Sequence, residues 1–294
     1  MKSITPRQLR DRFEERSRAW RVAVETTFET ETSLVAFGSR GGQSVVLKVL
    51  KQQDEWHSGE VLNAFQGNGV VPVYESVEGA VLLPRLRPGN SLVSMALDGR
   101  DEEATDILAE VIGKMSGCEP PKGCAAIQDW AKGFERYSAT GDNQIPKHLV
   151  EEGQRWYSEL CASQHHPTLL HGDLQHYNVL FDSGRGWLAI DPKGVTGEIE
   201  YEMGAILRNP TEMPDLFASP ATVERRLKHF TRRLHLDFER ALAWGFAQAV
   251  LSAIWGIEDG FTLDARDPAI RLANAIRPML PTHGWGRRTE RCRR

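Results

Sequence analysis

The stretch LLHGDLQHYNVLF, residues 169–181, carries more polar and titratable side chains than a connection between two apolar runs needs. A plain turn is built from a few residues such as Gly, Asn, Asp or Pro. This stretch contains His171, Asp173, Gln175, His176 and Asn178 instead. A carboxylate can accept a proton, and a side-chain amide oxygen can bind a metal ion. The composition therefore indicates a site that does chemistry.

The spacing of His171, Asp173 and Asn178 matches H-x-D-x-x-x-x-N, the catalytic loop of kinases. In that loop the aspartate accepts the proton of the attacking hydroxyl, and the asparagine binds Mg²⁺. Asp191 follows the apolar run WLAI, thirteen residues after Asn178, at the place of the second metal ligand. The spacing thus predicts Asp173 as catalytic base, with Asn178 and Asp191 as ligands of a Mg²⁺ ion that also binds phosphate oxygens.

A lysine in an apolar strand points to the partner of this loop. Lys48 lies inside SVVLKVL, residues 44–50, which is the setting of the kinase lysine that binds nucleotide phosphates. Such a lysine needs a partner, because an unpaired ammonium in apolar surroundings is costly. Glu60 lies twelve residues further on, in a predicted helix. We expect a Lys48–Glu60 pair that holds the ammonium against the α- and β-phosphates.

Each of these residues also has a purely structural explanation when taken alone. Asp173 could be a turn residue, Asn178 a strand cap, and Asp191, which precedes a proline, a bare turn. Lys48 could extend its ammonium to solvent at a strand edge. Glu60 could be an exposed helix residue. The five together, in this order and context, favour a kinase-like phosphotransferase site.

Several features of regulated protein kinases are missing. ETTFETETS, residues 25–33, contains no glycine-rich phosphate loop, and Asp-Pro-Lys stands where protein kinases have D-F-G. No A-P-E follows, and Gly172 replaces the arginine that pairs with a phosphorylated activation loop. His171 could act as a base, but kinase-like loops use the aspartate, so we expect His171 to bond the loop backbone.

The hydrophobic pattern predicts an α+β protein of two lobes. Residues 21–28, 32–39, 44–50, 70–76 and 80–87 alternate or run apolar like strands, with one helix at 54–66. RPGNS, residues 87–91, is typical of a linker. Beyond it helices predominate, near 101–116, 125–137, 147–163, 222–235, 237–257 and 267–279. We expect a small five-stranded N-terminal nucleotide-binding lobe at 1–86 and a mostly helical C-terminal catalytic and acceptor-binding lobe at 87–294.

Composition narrows the possible partners and compartments. The chain has 294 residues and a net charge of −4. We therefore expect no nucleic-acid partner, and interpret the basic run at 287–294 as a solvated tail. There is no signal-peptide pattern and no apolar run near eighteen residues, so we expect no membrane association. Four cysteines without a zinc spacing are typical of a reduced, cytoplasmic protein.

The motifs together resemble a known family. LLHGDLQHYNVLF, WLAIDPKGVTGEIEYEMGAILRNP and LSAIWGIEDG are similar to aminoglycoside phosphotransferases, and more narrowly to the streptomycin 6-kinase and hydroxyurea kinase group. The resemblance implies a protein-kinase-like fold that holds ATP and Mg²⁺ between its lobes. It repeats the roles of Lys48, Glu60, Asp173, Asn178 and Asp191 given above.

The resemblance also implies roles outside the loop. Adenine is expected to meet backbone groups at the hinge between Leu83 and Leu86, so that Leu83 and Arg85 contribute to cofactor binding. Glu202 stands where the family usually has Asp, and is expected to brace the catalytic loop. Six C-terminal carboxylates are candidates for binding a cationic acceptor, and a solvated acidic face is the alternative for each of them: Glu198, Glu200, Glu202, Glu258, Asp259 and Asp264. Glu258 and Asp259 are the preferred pair, because they end a long apolar helix inside a family-like motif.

The expected activity is transfer of the γ-phosphoryl group of ATP to a hydroxyl of a small polar molecule, with a streptomycin-like aminoglycoside as the preferred acceptor and antibiotic resistance as the outcome. A cationic acceptor suits carboxylates in its pocket. Two alternatives stay open at this point. One is a metabolite small-alcohol kinase of the same fold, and the other is a catalytically dead protein that binds nucleotide or a partner.

Overall fold

The computed structural model of the chain describes residues 3–281. The basic run at 287–294, interpreted above as a solvated tail, and Cys292 lie outside the described residues. The remaining cysteines, Cys118, Cys124 and Cys161, are free thiols.

The N-terminal part is the predicted small α+β unit. One antiparallel sheet of five strands has the order β1-β2-β3-β5-β4. Its elements are α1 Pro6–Ala19, β1 Ala23–Glu29, β2 Ser33–Arg40, β3 Gln43–Leu50, α2 Ser58–Ala64, β4 Glu75–Val77 and β5 Ala80–Pro84, with a 3₁₀ turn at Gln53–Glu55. The five-stranded sheet with one inserted helix is confirmed, and α1 precedes it.

Strand β3 shows how the alternation of the sequence positions a functional side chain. Val45, Leu47 and Val49 point to one face, where they pack with Leu9 of α1 into a separate small core. The alternate residues point to the opposite face, since successive side chains of a strand alternate. Lys48 is therefore directed away from α1 and toward the C-terminal part of the protein.

The predicted fourth strand is shorter than expected, and so is the helix predicted at 54–66, which is α2 Ser58–Ala64 in the structure. Strand β4 spans residues 75–77, so only the last two residues of the run 70–76 join the sheet. Val70 instead forms a parallel bridge with Ala189, and the Val71 amide donates to the Ala189 carbonyl at 2.9 Å. Pro72 follows directly and has no N–H to continue a ladder. This segment therefore connects the N-terminal part to the C-terminal part before the chain returns to the sheet.

The predicted linker is partly a strand. Residues 88–91 form β6 Pro88–Ser91, which pairs with a C-terminal strand by aligning Pro88 with Asp182. The connection after β5 is thus only residues 85–87, and the boundary predicted between 86 and 87 falls inside it. The assignment of 1–86 and 87–294 as two working lobes stays a prediction.

The C-terminal part is mostly helical, as predicted. Its helices are α3 Leu92–Leu97, α4 Asp101–Met115, α5 Ile127–Trp130, α6 Lys132–Thr140, α7 Lys147–Ala162, α8 Met203–Leu207, α9 Pro214–Phe217, α10 Pro220–Leu234, α11 Phe238–Glu258 and α12 Pro268–Ile276. Its strands are β6, β7 Thr168–Leu170, β8 Val179–Asp182, β9 Gly186–Ala189 and β10 Val195–Gly197. Three 3₁₀ turns lie at His176–Asn178, Ile199–Glu202 and Arg277–Met279.

Helix α11 is the centre of the C-terminal core. Trp244 of this helix packs edge-on against Tyr157 and Tyr201, with ring centroids 5.1 and 5.0 Å apart. Of the described helices, it alone is long and apolar enough to cross a membrane, with mean hydropathy 1.2 over an 18-residue window. That window is 72% buried inside the protein. Its all-round apolar surface is what a helix surrounded by a core requires.

Candidate active site

The β8–β9 ribbon brings the two predicted metal ligands to one end. Val179 pairs with Ala189 at the end of this antiparallel ribbon. Asn178 directly precedes β8, and Asp191 comes two residues after β9, so both lie beside that terminal pair. Asp191 adopts a left-handed backbone with φ of 57°, a costly conformation for a residue other than glycine.

Glu202 braces the catalytic loop as the resemblance implies. Its Oε1 accepts the amide N–H of His171 at 2.6 Å and that of Gly172 at 3.1 Å. The side chain is deeply buried, with the whole residue 2% exposed. Burial raises the pKa of Glu202 to about 7, although the two amide hydrogen bonds work to lower it. The extra methylene relative to the family's Asp is therefore accommodated.

His171 bonds the loop backbone through both ring nitrogens. Nε2 lies 2.8 Å from the Ile190 carbonyl and donates to it, while Nδ1 accepts the Asp173 amide at 3.3 Å. Burial lowers the pKa of His171, which keeps the ring neutral. With both nitrogens occupied, His171 has no lone pair for a substrate proton. Its geometry is that of a residue that bonds the loop backbone and not that of a general base.

Gly172 lies at a position of the catalytic loop where the protein leaves no room for a side chain. Its φ is +80°, and an added Cβ would lie 2.9 Å from the Trp130 ring and 3.0 Å from Val195. The space beside Gly172 is therefore filled by protein. Glycine at this position lets the loop pack against that wall.

Asp173 and Asn178 contact each other across the loop. The Asn178 Nδ2 donates to the Asp173 carbonyl at 2.9 Å and lies 3.4 Å from Asp173 Oδ2. Because the amide nitrogen faces Asp173, the amide oxygen of Asn178 is left for another partner. Arg208 approaches the other carboxylate oxygen, with Nη2 3.2 Å from Asp173 Oδ1.

The predicted Lys48–Glu60 pair is not formed. Lys48 Nζ lies 2.6 Å from Asp191 Oδ1, with the lysine side chain 16% exposed and the aspartate 45% exposed. Glu60 lies on α2 as an exposed residue, and no ion pair of Glu60 occurs within residues 3–281. Glu60 is therefore an exposed helix residue, which was the alternative explanation for it, because α2 presents this position to solvent.

A second ion pair crosses the cleft and was not foreseen. Lys193 Nζ, from the Asp-Pro-Lys-Gly run, bonds the Glu55 carboxylate of the N-terminal part. Burial works to lower the pKa of Lys193, but Glu55, Asp173 and Asp191 outweigh it and raise the pKa. Gly194 then packs against α2, since an added Cβ would lie 2.4 Å from a methyl of Val61. The sequence offered one signal for this ion pair, namely the presence of a lysine, Lys193, inside the Asp-Pro-Lys-Gly motif.

These groups converge on one cleft between the two parts of the protein. The cleft is open at its mouth, and its empty volume of about 700 Å³ includes open solvent. The lining residues are Thr32, Lys48, Leu50, Glu55, Ser58, Leu62, Val81, Asp173, Gln175, Asn178, Asp191, Pro192 and Lys193. Four of the sequence-predicted residues are brought together here, namely Lys48, Asp173, Asn178 and Asp191.

The hinge residues are arranged differently from the prediction. Leu83, Arg85 and Leu86 are not among the residues that line the cleft, so only their hydrogen bonds distinguish them. The Arg85 amide donates to the Ser44 carbonyl at 3.0 Å, and its guanidinium lies over the Phe37 ring, 4.0 Å from the centroid. The amide of Leu86, by contrast, has no hydrogen-bond partner in the part of the chain that the structure describes. Leu86 is therefore the free donor of this hinge.

The two predicted acceptor residues differ from each other. Glu258 binds Arg136 through two hydrogen bonds of 2.7 and 3.0 Å. Asp259 follows α11 and is exposed. Burial, then the charges of Glu31 and Glu258, raise the pKa of Asp259, while Lys193 opposes them. Asp259 therefore lies within electrostatic reach of both the N-terminal part and the cleft lysine.

The fold and the order of these groups are those of a protein-kinase-like phosphotransferase. Residues 19–260 match the family model described as "Aminoglycoside/hydroxyurea antibiotic resistance kinase". The chain belongs to that family. The resemblance inferred from the motifs is thereby confirmed, and the class of enzyme is a phosphotransferase of the aminoglycoside kinase type.

Individual relatives agree with this placement. The chain is 32% identical to streptomycin 3''-kinase of Klebsiella pneumoniae over 237 residues, which covers 79% of this chain and 86% of that protein. It is 28% identical to streptomycin 6-kinase of Streptomyces glaucescens, over 80% of this chain and 78% of that protein. A crystal structure of aminoglycoside phosphotransferase APH(4)-Ia, in a ternary complex with ADP and hygromycin B, superposes with a TM-score of 0.68 at 18% identity, covering 92% of this chain and 99% of that one. This structural likeness confirms the protein-kinase-like fold.

Proposed function

We propose that this protein transfers the γ-phosphoryl group of ATP to a hydroxyl of a streptomycin-like aminoglycoside. The observation that carries the proposal is the meeting of Lys48, Asp173, Asn178 and Asp191 in one cleft. In the reaction, the acceptor oxygen forms a bond to the γ-phosphorus and the bond from that phosphorus to the bridging oxygen breaks. ADP leaves with the bonding electrons, and the acceptor proton passes to Asp173.

Asn178 and Asp191 are suited to hold Mg²⁺. They offer one amide oxygen and one carboxylate at the same end of the β8–β9 ribbon, and Mg²⁺ takes its remaining ligands from water and phosphate. When bound, the ion neutralises charge on the β- and γ-phosphate oxygens. The Lys48 ammonium, now 2.6 Å from Asp191, would then turn to the phosphates.

The hinge amide of Leu86 is suited to bind adenine. An adenine ring nitrogen can accept one hydrogen bond, and the Leu86 N–H is free to donate it. This assignment replaces Arg85, whose amide already bonds Ser44 at 3.0 Å. Leu83 contributes a buried side chain beside the donor and no polar contact.

The acceptor is expected to approach between Asp173 and the end of α11. Trp130 covers Gly172 of the catalytic loop and stacks edge-on with Trp255 of α11 at 5.5 Å between centroids. Asp259 lies one helical turn beyond Trp255. A carboxylate already repelled by Glu31 and Glu258 is stabilised by a cationic ligand, which favours a guanidinium- or amine-bearing acceptor. Asp259 is therefore the better of the two predicted acceptor residues.

The three free thiols among the described cysteines support a reducing compartment, and we propose that the protein acts in the cytoplasm.

A screen with γ-labelled ATP, Mg²⁺ and a panel of acceptors tests the proposal. The panel contains streptomycin, hygromycin B, hydroxyurea, choline and simple sugar alcohols, and mass spectrometry locates the added phosphoryl group. Phosphorylated streptomycin, together with raised tolerance of a sensitive bacterial host, is the expected result. Transfer only to a small-alcohol metabolite would replace the aminoglycoside assignment, and no transfer to any acceptor would refute the enzymatic proposal.

A further inference from the structure

Arg208 is the cationic partner of the proposed base. It follows α8 directly, and its Nη2 lies 3.2 Å from Asp173 Oδ1 with the arginine side chain only 15% exposed. Arg208 does not line the cleft, whereas Asp173 does. The guanidinium is therefore mostly buried, and it contacts Asp173 without lining that cleft.

The same guanidinium has a second anchor. Its Nη1 donates to Gln248 Oε1 at 2.7 Å, and Gln248 is a buried residue of α11, 1% exposed. A glycine makes room for this anchor. A Cβ at Gly204 would lie 2.0 Å from Gln248 Oε1 and 2.5 Å from its Cβ. Only glycine at 204 is compatible with Gln248 in this place.

The backbone that carries Arg208 is also held in position. The buried Arg226 donates from Nη1 to the carbonyl of Ile206 at 3.2 Å and to that of Asn209 at 2.7 Å. These two carbonyls flank Arg208 along the chain. The Asn209 side chain in turn donates to the Ala205 carbonyl at 2.8 Å. Arg208 is thus fixed at its main chain and at both arms of its fork.

The catalytic loop itself supplies no cation for Asp173. Gly172 precedes the aspartate, and Leu174 and Gln175 follow it. Within residues 3–281, the Asp173 carboxylate hydrogen-bonds to the side chains of Arg208 and Asn178, one through each oxygen, while Lys193 acts on it through charge alone. Rotation of a carboxylate about its last torsion is soft, so two fixed partners are what set its orientation.

We propose that Arg208 is a positioning residue that orients the Asp173 carboxylate toward the acceptor hydroxyl, with Gln248 of α11 as its support. This rests on the proposed function, since it takes Asp173 as the base. A planar guanidinium can bond two partners at once, which the point charge of a lysine does less well. Misplacing a reacting group by about 1 Å can cost on the order of 10²-fold in rate.

The first measurement separates positioning from binding. Arg208→Met should lower kcat by roughly 10²-fold while KM for ATP and the ADP affinity stay near the parental values. Arg208→Lys should recover part of that loss, and Gln248→Leu should lower kcat by a smaller factor. Arg277→Met is the matched control, because it removes an arginine that pairs with Glu152 at 2.7 Å elsewhere on the surface. It should leave kcat unchanged.

A double-mutant cycle with Asp173→Asn gives the decisive result. If Arg208 acts through Asp173, then adding Arg208→Met to Asp173→Asn should cost little further activity, because the oriented charge is already gone. A structural role would instead multiply the two losses. Multiplied losses, or a parental kcat in Arg208→Met, would overturn the proposal while leaving the enzyme assignment intact. Parental activity in Asp173→Asn alone would refute the base assignment instead.

Folding of the variants is checked by thermal melting. If Arg208→Met does not fold, Arg208→Ala is assayed with added guanidinium ion, which should raise its kcat in a saturable manner. The same addition should not raise the activity of the Asp173→Asn, Arg208→Ala double variant. Equal effects of guanidinium on both variants, or no rescue of a folded Arg208→Ala enzyme, would overturn the proposal.

Discussion

Glu202 makes the stability of this protein depend on pH in a defined direction. Burial raises the pKa of its carboxyl from the ordinary 4.5 to about 7 in the folded protein. Below pH 4.5 the group is protonated in both the folded and the unfolded chain. As the pH rises from 4.5 toward 7, the unfolded chain releases the proton while the folded protein keeps it. The folded state therefore loses free energy relative to the unfolded state across this window.

The size of the effect follows from the same pKa displacement. At about 1.4 kcal/mol per pKa unit, the loss above pH 7 is about 3 kcal/mol. Glu202→Gln keeps a carbonyl oxygen for the amides of His171 and Gly172 and has no proton to release. For a chain of this size, we expect the Tm of the wild type relative to the variant to fall by roughly 5–10 °C between pH 5 and pH 8.

The assay is a pair of melting curves recorded every half pH unit, together with a carbon-detected titration of the glutamate carboxyls. The signal absent from Glu202→Gln should titrate near pH 7. Far-UV circular dichroism at pH 5 should be the same for both proteins, which shows that the substitution preserves the fold. Parallel Tm curves over the whole range, or a midpoint near 4.5, would refute the reasoning that burial controls this carboxyl.

Four further predictions concern the cleft. Asp173→Asn keeps the shape of the side chain and removes its charge, so kcat should fall by roughly 10²- to 10⁴-fold at an unchanged Tm; an unaltered rate measured by labelled phosphate transfer would exclude Asp173 as the base. Asp191→Ala should abolish transfer, while metal-free ATP should bind about equally to the variant and the parent in calorimetry; full activity of the variant would contradict the metal role. Lys48→Ala should lower kcat/KM for ATP and leave acceptor binding nearly unchanged; an unaltered ATP dependence would contradict the phosphate-binding role. Glu60→Gln should have no effect on steady-state kinetics, whereas Glu55→Gln removes the partner of Lys193 and should change kcat/KM for ATP several-fold; the opposite ranking would restore the Lys48–Glu60 pair.

The sequence by itself determined the chemistry-bearing loop and the family. Asp173 and Asn178 lie five residues apart in one short segment, so their spacing alone indicates that both side chains belong to the same site. The alternation of SVVLKVL likewise fixed which face of β3 carries Lys48, because the period of a strand leaves only two choices. The resemblance to the family motif predicted that Glu202 braces the catalytic loop. In the structure, the amides of His171 and Gly172 donate hydrogen bonds to its carboxylate.

The tertiary structure decided which distant groups became partners. The chain has 40 acidic residues, and spacing cannot select which of them a flexible lysine meets. Lys48 therefore pairs with Asp191 and not with Glu60, and Lys193 pairs with Glu55, because the tertiary packing brings these side chains together.

The role proposed for Arg208 has the same origin. The motif ILRNP was visible in the sequence, but its arginine meets Asp173 and Gln248 only after α8 and α11 have packed with a glycine between them. Local periodicity specifies the direction in which a side chain points along its own element. Contacts between elements depend on distances set by the whole core, which a linear pattern does not contain.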